Sequence, residues 1–177
     1  MKMYGMTDRK YEFSWDLVGD IAKGRPNLGS YTRLEVYRLA LLTFRDVLEQ
    51  HVGTEKTDLI FNQAGQLAGR ELCRNLVPVA SDFSSFIKVL QESLRELRIG
   101  ILRVEEAEMD QGKLTLTVSE DLECSGMPEV GFSSCTYDEG FIAGILESFT
   151  GRPFKVKEVE CWCTGNRTCR FVAEAVN

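Results

Sequence analysis

The last quarter of the chain concentrates thiol and carboxylate side chains around one short predicted turn. Cys161, Cys163 and Cys169 follow one another closely, and Glu158 and Glu160 immediately precede them. Thiolate sulfur and carboxylate oxygen are normal ligands of zinc, and structural zinc sites close with four protein ligands. The pattern therefore predicts a bound zinc ion.

The residues alone leave the ligand set open. Cys161 and Cys169 flank the turn, where antiparallel strands would bring them together, and Cys135 lies at the predicted start of a helix, which favours a thiolate. Strand alternation puts Cys161 and Cys163 on one face and Glu158 on the other, unless a bulge intervenes. Spacing therefore favours Cys163 as the fourth ligand, with Glu158 as the alternative.

The remaining candidate residues carry no predicted chemistry. Cys73 and Cys124 are isolated in apolar segments and are expected to be core residues, since free cysteine is often buried. His51 lies at a predicted helix C-terminus, where a protonated imidazole would complement the helix dipole. The sequence shows no nucleophilic triad, phosphate loop or dinucleotide fingerprint, so no catalytic residue is predicted.

Length and composition limit the class of protein. The 177 residues predict a single domain over 1–177, divided into an N-terminal extension (1–30), a helical part (31–98) and a part with sheet, helix and zinc hairpin (99–177). The net charge of -6 argues against nucleic acid or a membrane as direct partner. Without an apolar signal or spanning segment, we expect a cytoplasmic protein, where reducing conditions favour metal binding over disulfides.

Hydrophobic periodicity predicts helices early in the chain and strands late. Four helices are predicted, over residues 31–52, from residue 57 onward, over 83–97 and over 135–149. Strands are predicted at 99–105, 113–118, 154–163 and 168–176, with a further short strand at 11–17. This order indicates an α+β fold, an antiparallel sheet packed against a helical layer. Paired glycines four residues apart (Gly65 and Gly69, Gly140 and Gly144) indicate close helix approach and suggest a homodimer. The alternative is that Gly65 and Gly69 are tolerated in their helix without a role.

The segment 151–161, with Gly165 and 169–171, closely resembles the 4-vinyl reductase domain, a family also described as predicted hydrocarbon-binding proteins. That family is related to the sensory domains of phenol- and xylene-responsive activators and to TRAPP-subunit-like folds. The resemblance implies a TRAPP-subunit/NO-signalling-like ligand-binding fold. It also implies zinc ligands at Cys135, Glu158, Cys161 and Cys169, and it favours Glu158 over Cys163, which is kept as the reserve ligand.

The resemblance implies a zinc-containing domain that binds a small hydrophobic molecule and acts as a sensor through dimerisation or a partner protein. Phenol is not the expected ligand, because the phenol sensors hold its hydroxyl with a His and a Trp that the central region lacks. The expected apolar cavity lies between helices and sheet, with candidate lining residues Phe83, Phe86, Phe132 and Phe141. The alternatives are a reductase of a vinyl-type, tetrapyrrole-related group and a non-catalytic assembly subunit.

Overall fold

The computed structural model describes residues 10–176. This part of the chain forms two compact units, which divide between Arg33 and Leu34. The first unit contains a 3-10 turn at Trp15–Val18 and the one-turn helix α1 (Ile21–Gly24), whose start is capped by Asp20. The strand predicted at 11–17 was wrong, because a strand needs a hydrogen-bonded neighbour and none pairs with this segment among the described residues.

Four longer helices belong to the second unit: α2 (Leu34–Val52), α3 (Thr54–Leu76), α4 (Phe83–Glu96) and α5 (Thr136–Thr150). Gly53, at φ 80°, separates α2 from α3. Asp82 caps α4 by accepting a hydrogen bond from the Ser85 amide at 2.9 Å. Across residues 10–176, no helix is both long and apolar enough to cross a membrane.

The sheet has four strands, all antiparallel: β1 (Ile101–Glu108), β2 (Lys113–Ser119), β3 (Phe154–Glu160) and β4 (Cys169–Ala175), in the order β1-β2-β4-β3. Gly112, at φ 68°, closes the turn between β1 and β2. Leu114, Leu116 and Val118 alternate along β2 on the buried face. Because α4 packs on β1 and α5 on β3, the α+β prediction is confirmed.

Helices α3 and α5 pack backbone to backbone along the two glycine pairs. A Cβ atom added at Gly65 or Gly69 would overlap the carbonyl oxygens of α5, and one at Gly140 or Gly144 would overlap those of α3. The close approach predicted from the glycine spacing is therefore made within one chain. The same glycines no longer support a homodimer, because their faces are already occupied.

Candidate metal centre and apolar cavity

Four cysteine sulfurs converge in the core of the second unit. The Sγ atoms of Cys124, Cys135, Cys161 and Cys169 all lie within 4.8 Å of one another, and all four residues are buried. Tetrahedral zinc–sulfur bonds of about 2.3 Å would separate the sulfurs by about 3.8 Å. The Cys135–Cys161 pair is 3.8 Å apart and the Cys124–Cys169 pair 3.1 Å. The arrangement thus fits a tetrahedral thiolate site after a small opening of the second pair.

The four sulfurs come from four separate segments of the chain. Cys135 is the residue before α5, Cys161 follows β3, and Cys169 begins β4. Cys124 lies in the turn after β2, which the Asp121 carboxylate shapes by accepting the amide protons of Glu123 at 2.8 Å and Cys124 at 2.9 Å.

The three cysteines expected as ligands from the sequence are therefore brought together, with Cys124 in addition. Cys124 was expected in the core and is buried there, but its sulfur also joins the cluster. No local signal marks it, because its sulfur partner Cys169 is 45 residues away.

Glu158 lies beside the cluster. It is 5% exposed, and the β3–β4 register shifts between Glu158 and Glu160, so the bulge needed to turn Glu158 and Cys161 to the same side is present. One carboxylate oxygen accepts a hydrogen bond from Ser133, and the other, Oε1, is buried without a partner among the described residues. Burial, with the Cys161 sulfur nearby, raises the pKa of Glu158 to about 7.

Cys163 is buried but stands outside the four-sulfur group among the described residues. Its Sγ contacts the Ser134 hydroxyl at 3.3 Å. Its carbonyl accepts the amide protons of Val130 at 2.9 Å and Gly131 at 3.1 Å. These contacts fasten the long connection before α5, so the position of Cys163 fits a structural role.

Contacts among the four thiols shift their pKa values in opposite directions. Hydrogen bonds from Cys124, Cys135 and Cys169 lower the pKa of Cys161 strongly, whereas the same kind of contacts raise the pKa of Cys135. A metal ion would replace these thiol protons, since zinc binds thiolates.

The basic residues nearest in sequence are engaged elsewhere. Lys157 pairs with Glu139 at 2.8 Å, Arg170 pairs with Glu105 at 3.0 Å, and the Arg167 guanidinium lies over the Trp162 ring. These three side chains therefore do not neutralise the negative charge of thiolates in the cluster, and a bound cation would do so.

A small apolar cavity lies between α4, α5 and the sheet, with a volume of ≈ 30 Å³. Aliphatic side chains form most of its wall, including Leu90, Leu116 and Ile145, and the acids Asp121 and Asp138 also line it. Of the four expected phenylalanines only Phe141 lines this cavity.

The other three phenylalanines lie elsewhere. The ring centroids of Phe83 and Phe86 lie 6.1 Å and 4.2 Å from that of Phe149, and Phe132 is 60% exposed. The expected lining was wrong for Phe83 and Phe86, because an aromatic stripe at helical spacing does not say which neighbouring surface it meets. It was wrong for Phe132 because this residue lies in the irregular connection before α5.

Comparison with known proteins agrees with this fold. Residues 114–175 match the V-4-R domain, the vinyl-4-reductase domain. An uncharacterized protein of Methanocaldococcus jannaschii is 27% identical over 150 residues, covering 85% of this chain and 82% of its own length. A vinyl-4-reductase family protein from the same organism superposes with a TM-score of 0.57 at 18% identity, covering 84% of this chain and 85% of that chain.

Two further solved structures share the fold at low identity. The phenol-responsive sensory domain of the transcription activator PoxR, with phenol, gives a TM-score of 0.61 at 16% identity, covering 84% and 78% of the two chains. A trafficking protein particle complex subunit 3 from Naegleria fowleri, covalently bound to palmitic acid, gives 0.60 at 12% identity, covering 81% and 93%. The resemblance to the 4-vinyl reductase family is confirmed over residues 114–175, which match its domain.

Proposed function

We propose that this protein binds a small apolar molecule in the cavity between α4, α5 and the sheet, and that it acts as a sensor. The observation that carries the proposal is the aliphatic cavity, which lies between the helical layer and the sheet of a chain with a 4-vinyl reductase domain. Two proteins of this fold are described with bound organic molecules, one with phenol and one covalently bound to palmitic acid. Their low identity gives the fold alone, so the chemistry of the cavity supports the ligand class.

The size of the cavity determines how binding must occur. Its ≈ 30 Å³ is far below the ~150 Å³ of an engineered cavity that holds benzene. An apolar ligand therefore requires outward movement of the wall. We assign that movement to α4, which packs on β1 and is preceded by the connection 77–82, without helix or strand. Such displacement is the signal that a sensor domain would pass on.

The ligand proposal is tested by thermal shift with toluene, phenol and palmitic acid, together with native mass spectrometry of the protein as purified. A bound apolar molecule should raise the melting temperature of wild type. Leu116→Phe, which fills the cavity, should abolish the shift. Val159→Phe, on the exposed face of the same sheet, should retain it. If none of the three compounds shifts wild type and no ligand co-purifies, the proposal fails.

We further propose a structural zinc ion bound by Cys135, Cys161 and Cys169 with one fourth ligand. The sulfur distances favour Cys124 as that ligand. Glu158, implied by the family resemblance, is the competing prediction, and its unpartnered Oε1 supports it. A closed shell of four protein ligands leaves no position for a reacting water, so the role is to join the β3–β4 hairpin to α5.

Zinc content by elemental analysis decides between the two ligand sets. Cys124→Ser should lose the metal and Glu158→Gln should retain it if the four sulfurs bind. The reverse pattern would establish the set with Glu158. Cys163→Ser is the matched control and should keep the wild-type zinc content.

A homodimer is supported by the outer face of α2 rather than by the glycines. Arg38 and Arg45 point to the body of the unit, where Arg38 binds the Leu122 carbonyl at 3.0 Å and Arg45 pairs with Asp58. The opposite face exposes Leu39 at 66% and Val47 at 49%, and α2 buries no residue completely. A helix with its cations inward and its apolar residues outward is best explained by a second copy of the chain covering that face.

Light scattering of the eluting protein tests the dimer. Wild type should give twice the chain mass of 20.0 kDa, and Leu39→Glu should give the monomer. Val159→Glu, on another exposed surface, should leave the dimer intact. A wild-type monomer at micromolar concentration rules out this interface.

The two other functions make different predictions. A vinyl-group reductase should turn over a vinyl-substituted tetrapyrrole in the presence of a reductant, with measurable product. A TRAPP-like assembly subunit should co-purify with a stable protein partner. This alternative rests on fold analogy alone.

A further inference from the structure

Three carboxylic acids lie together beside the cysteine cluster. Asp121 and Glu123 are each 4% exposed, and Asp138 lies in the first turn of α5. Within residues 10–176 no lysine or arginine forms an ion pair with any of the three. The nearby guanidinium of Arg38 donates instead to the carbonyls of Asp121, Leu122 and Ser125.

Two oxygens of this group are left without hydrogen bonds. Glu123 Oε2 and Asp138 Oδ2 are both buried atoms and have no partner among the described residues. A buried carboxylate without compensation costs several kcal/mol. The group must therefore carry protons or a cation that the protein atoms do not supply. If the carboxyl groups were simply protonated and hydrogen-bonded to one another, fewer of their oxygens would lack a partner. The unpartnered oxygens therefore point to a bound ligand.

The ligand atoms are already close enough for one ion. One oxygen each of Asp121 and Asp138 and the Sγ of Cys135 lie within 4.8 Å of one another. Cys135 belongs to both groups, so its sulfur lies between the four-cysteine cluster and the acids.

We propose a second metal site, in which Asp121, Asp138 and the shared Cys135 thiolate bind a second zinc ion next to the four-sulfur ion. Zinc accepts both sulfur and carboxylate oxygen, whereas magnesium and calcium prefer oxygen alone. Four thiolates carry more negative charge than one zinc ion can neutralise, and the two carboxylates add to it. The second ion neutralises this remaining negative charge. This site rests on the proposed zinc centre through Cys135. It lies at the wall of the apolar cavity, which Asp121 and Asp138 also line.

The experiment is a count of bound ions on the full chain. Metal-free protein is reconstituted with zinc chloride, passed through a desalting column and analysed by native mass spectrometry. Wild type should hold about two ions per chain. Asp138→Asn should hold about one, and so should Asp121→Asn, in which the amide oxygen still accepts the Glu123 and Cys124 amides. Asp110→Asn, an exposed acid in the β1–β2 turn, is the matched control and should hold the wild-type number.

The outcomes separate the two proposals. A wild-type count of one ion, lost in Cys161→Ser and unchanged in Asp138→Asn, overturns the second site and leaves the first. No zinc in wild type overturns both. Each variant is first checked for cooperative unfolding, and because Asp121 and Asp138 are replaced separately, either folded variant decides the question. Cadmium NMR gives a second readout: two resonances in wild type and one in the variants are expected, and one resonance in both overturns the proposal.

Discussion

Replacement of Gly140 by alanine tests the packing of α3 on α5 most directly. The added Cβ would overlap the Asn62 carbonyl oxygen and would lie 2.8 Å from its carbon and 3.0 Å from the Asn62 Cα. All three are backbone atoms of a long helix, so no side chain can rotate away. The two helices must separate by about 1 Å, a gap that forfeits a quarter to a half of each dispersion contact along their interface.

The expected magnitude combines two opposing effects. Overpacking of this kind costs about 3 kcal/mol, at the upper end for a core insertion, because the obstacle is backbone. Alanine returns about 1 kcal/mol of helix propensity relative to glycine. The net loss in the free energy of unfolding is therefore about 2 kcal/mol, or about 4–8 °C in melting temperature for a chain of this size.

Chemical denaturation followed by circular dichroism measures this loss. Gly24→Ala is the matched control, because Gly24 is also helical, has no heavy atom within 4 Å of the added Cβ and should be neutral or slightly stabilised. A Gly140→Ala protein within about 0.5 kcal/mol of wild type would show that α3 and α5 do not pack backbone to backbone.

Three further predictions concern the site and its surroundings. Chelation of zinc should lower the melting temperature of wild type and of Cys163→Ser, but leave Cys161→Ser unchanged because that variant has already lost the metal; equal chelator sensitivity of all three would contradict this. Burial raises the pKa of Tyr137 from 10.0 to about 12. The contribution of the neutral side chain to stability is therefore complete below pH 10 and is lost as pH rises through 12. Tyr137→Phe should reduce this loss of stability at alkaline pH, measured by denaturation at each pH. Arg38→Ala removes charged hydrogen bonds to three loop carbonyls and should cost about 2 kcal/mol, whereas Arg103→Ala, on the exposed side of β1, should cost less than about 0.5 kcal/mol by the same measurement.

Local periodicity predicted the elements of the second unit well. The helix expected over 135–149 is α5 at Thr136–Thr150, and the hairpin strands expected at 99–105 and 113–118 are β1 and β2. These segments could be read from the sequence because the pattern of apolar residues at three and four, or at two, follows from backbone geometry alone. The expectation at 11–17 failed because alternation specifies a strand only when another strand is available to pair with it.

Part of the candidate site could be predicted from the sequence, and part became visible only in the tertiary structure. Cys161 and Cys169 could be placed together from the sequence, because a single tight turn joins their strands. Cys124 could not be, since the sheet brings it to Cys169 only by pairing β2 with β4. The register shift that turns Glu158 toward Cys161 is likewise a property of the β3–β4 pairing and not of the alternating pattern.

From the sequence by itself, glycines four residues apart were expected to meet another helix, because a surface without Cβ atoms permits close approach. Only the tertiary structure decided that the partner of Gly65 is α5 of the same chain and not a second copy. It also decided that Phe141 faces the cavity while Phe132 faces solvent. The physical reason is the same in both cases: periodicity defines which face of an element is apolar, but the surface that covers this face is chosen by contacts between segments far apart in the chain.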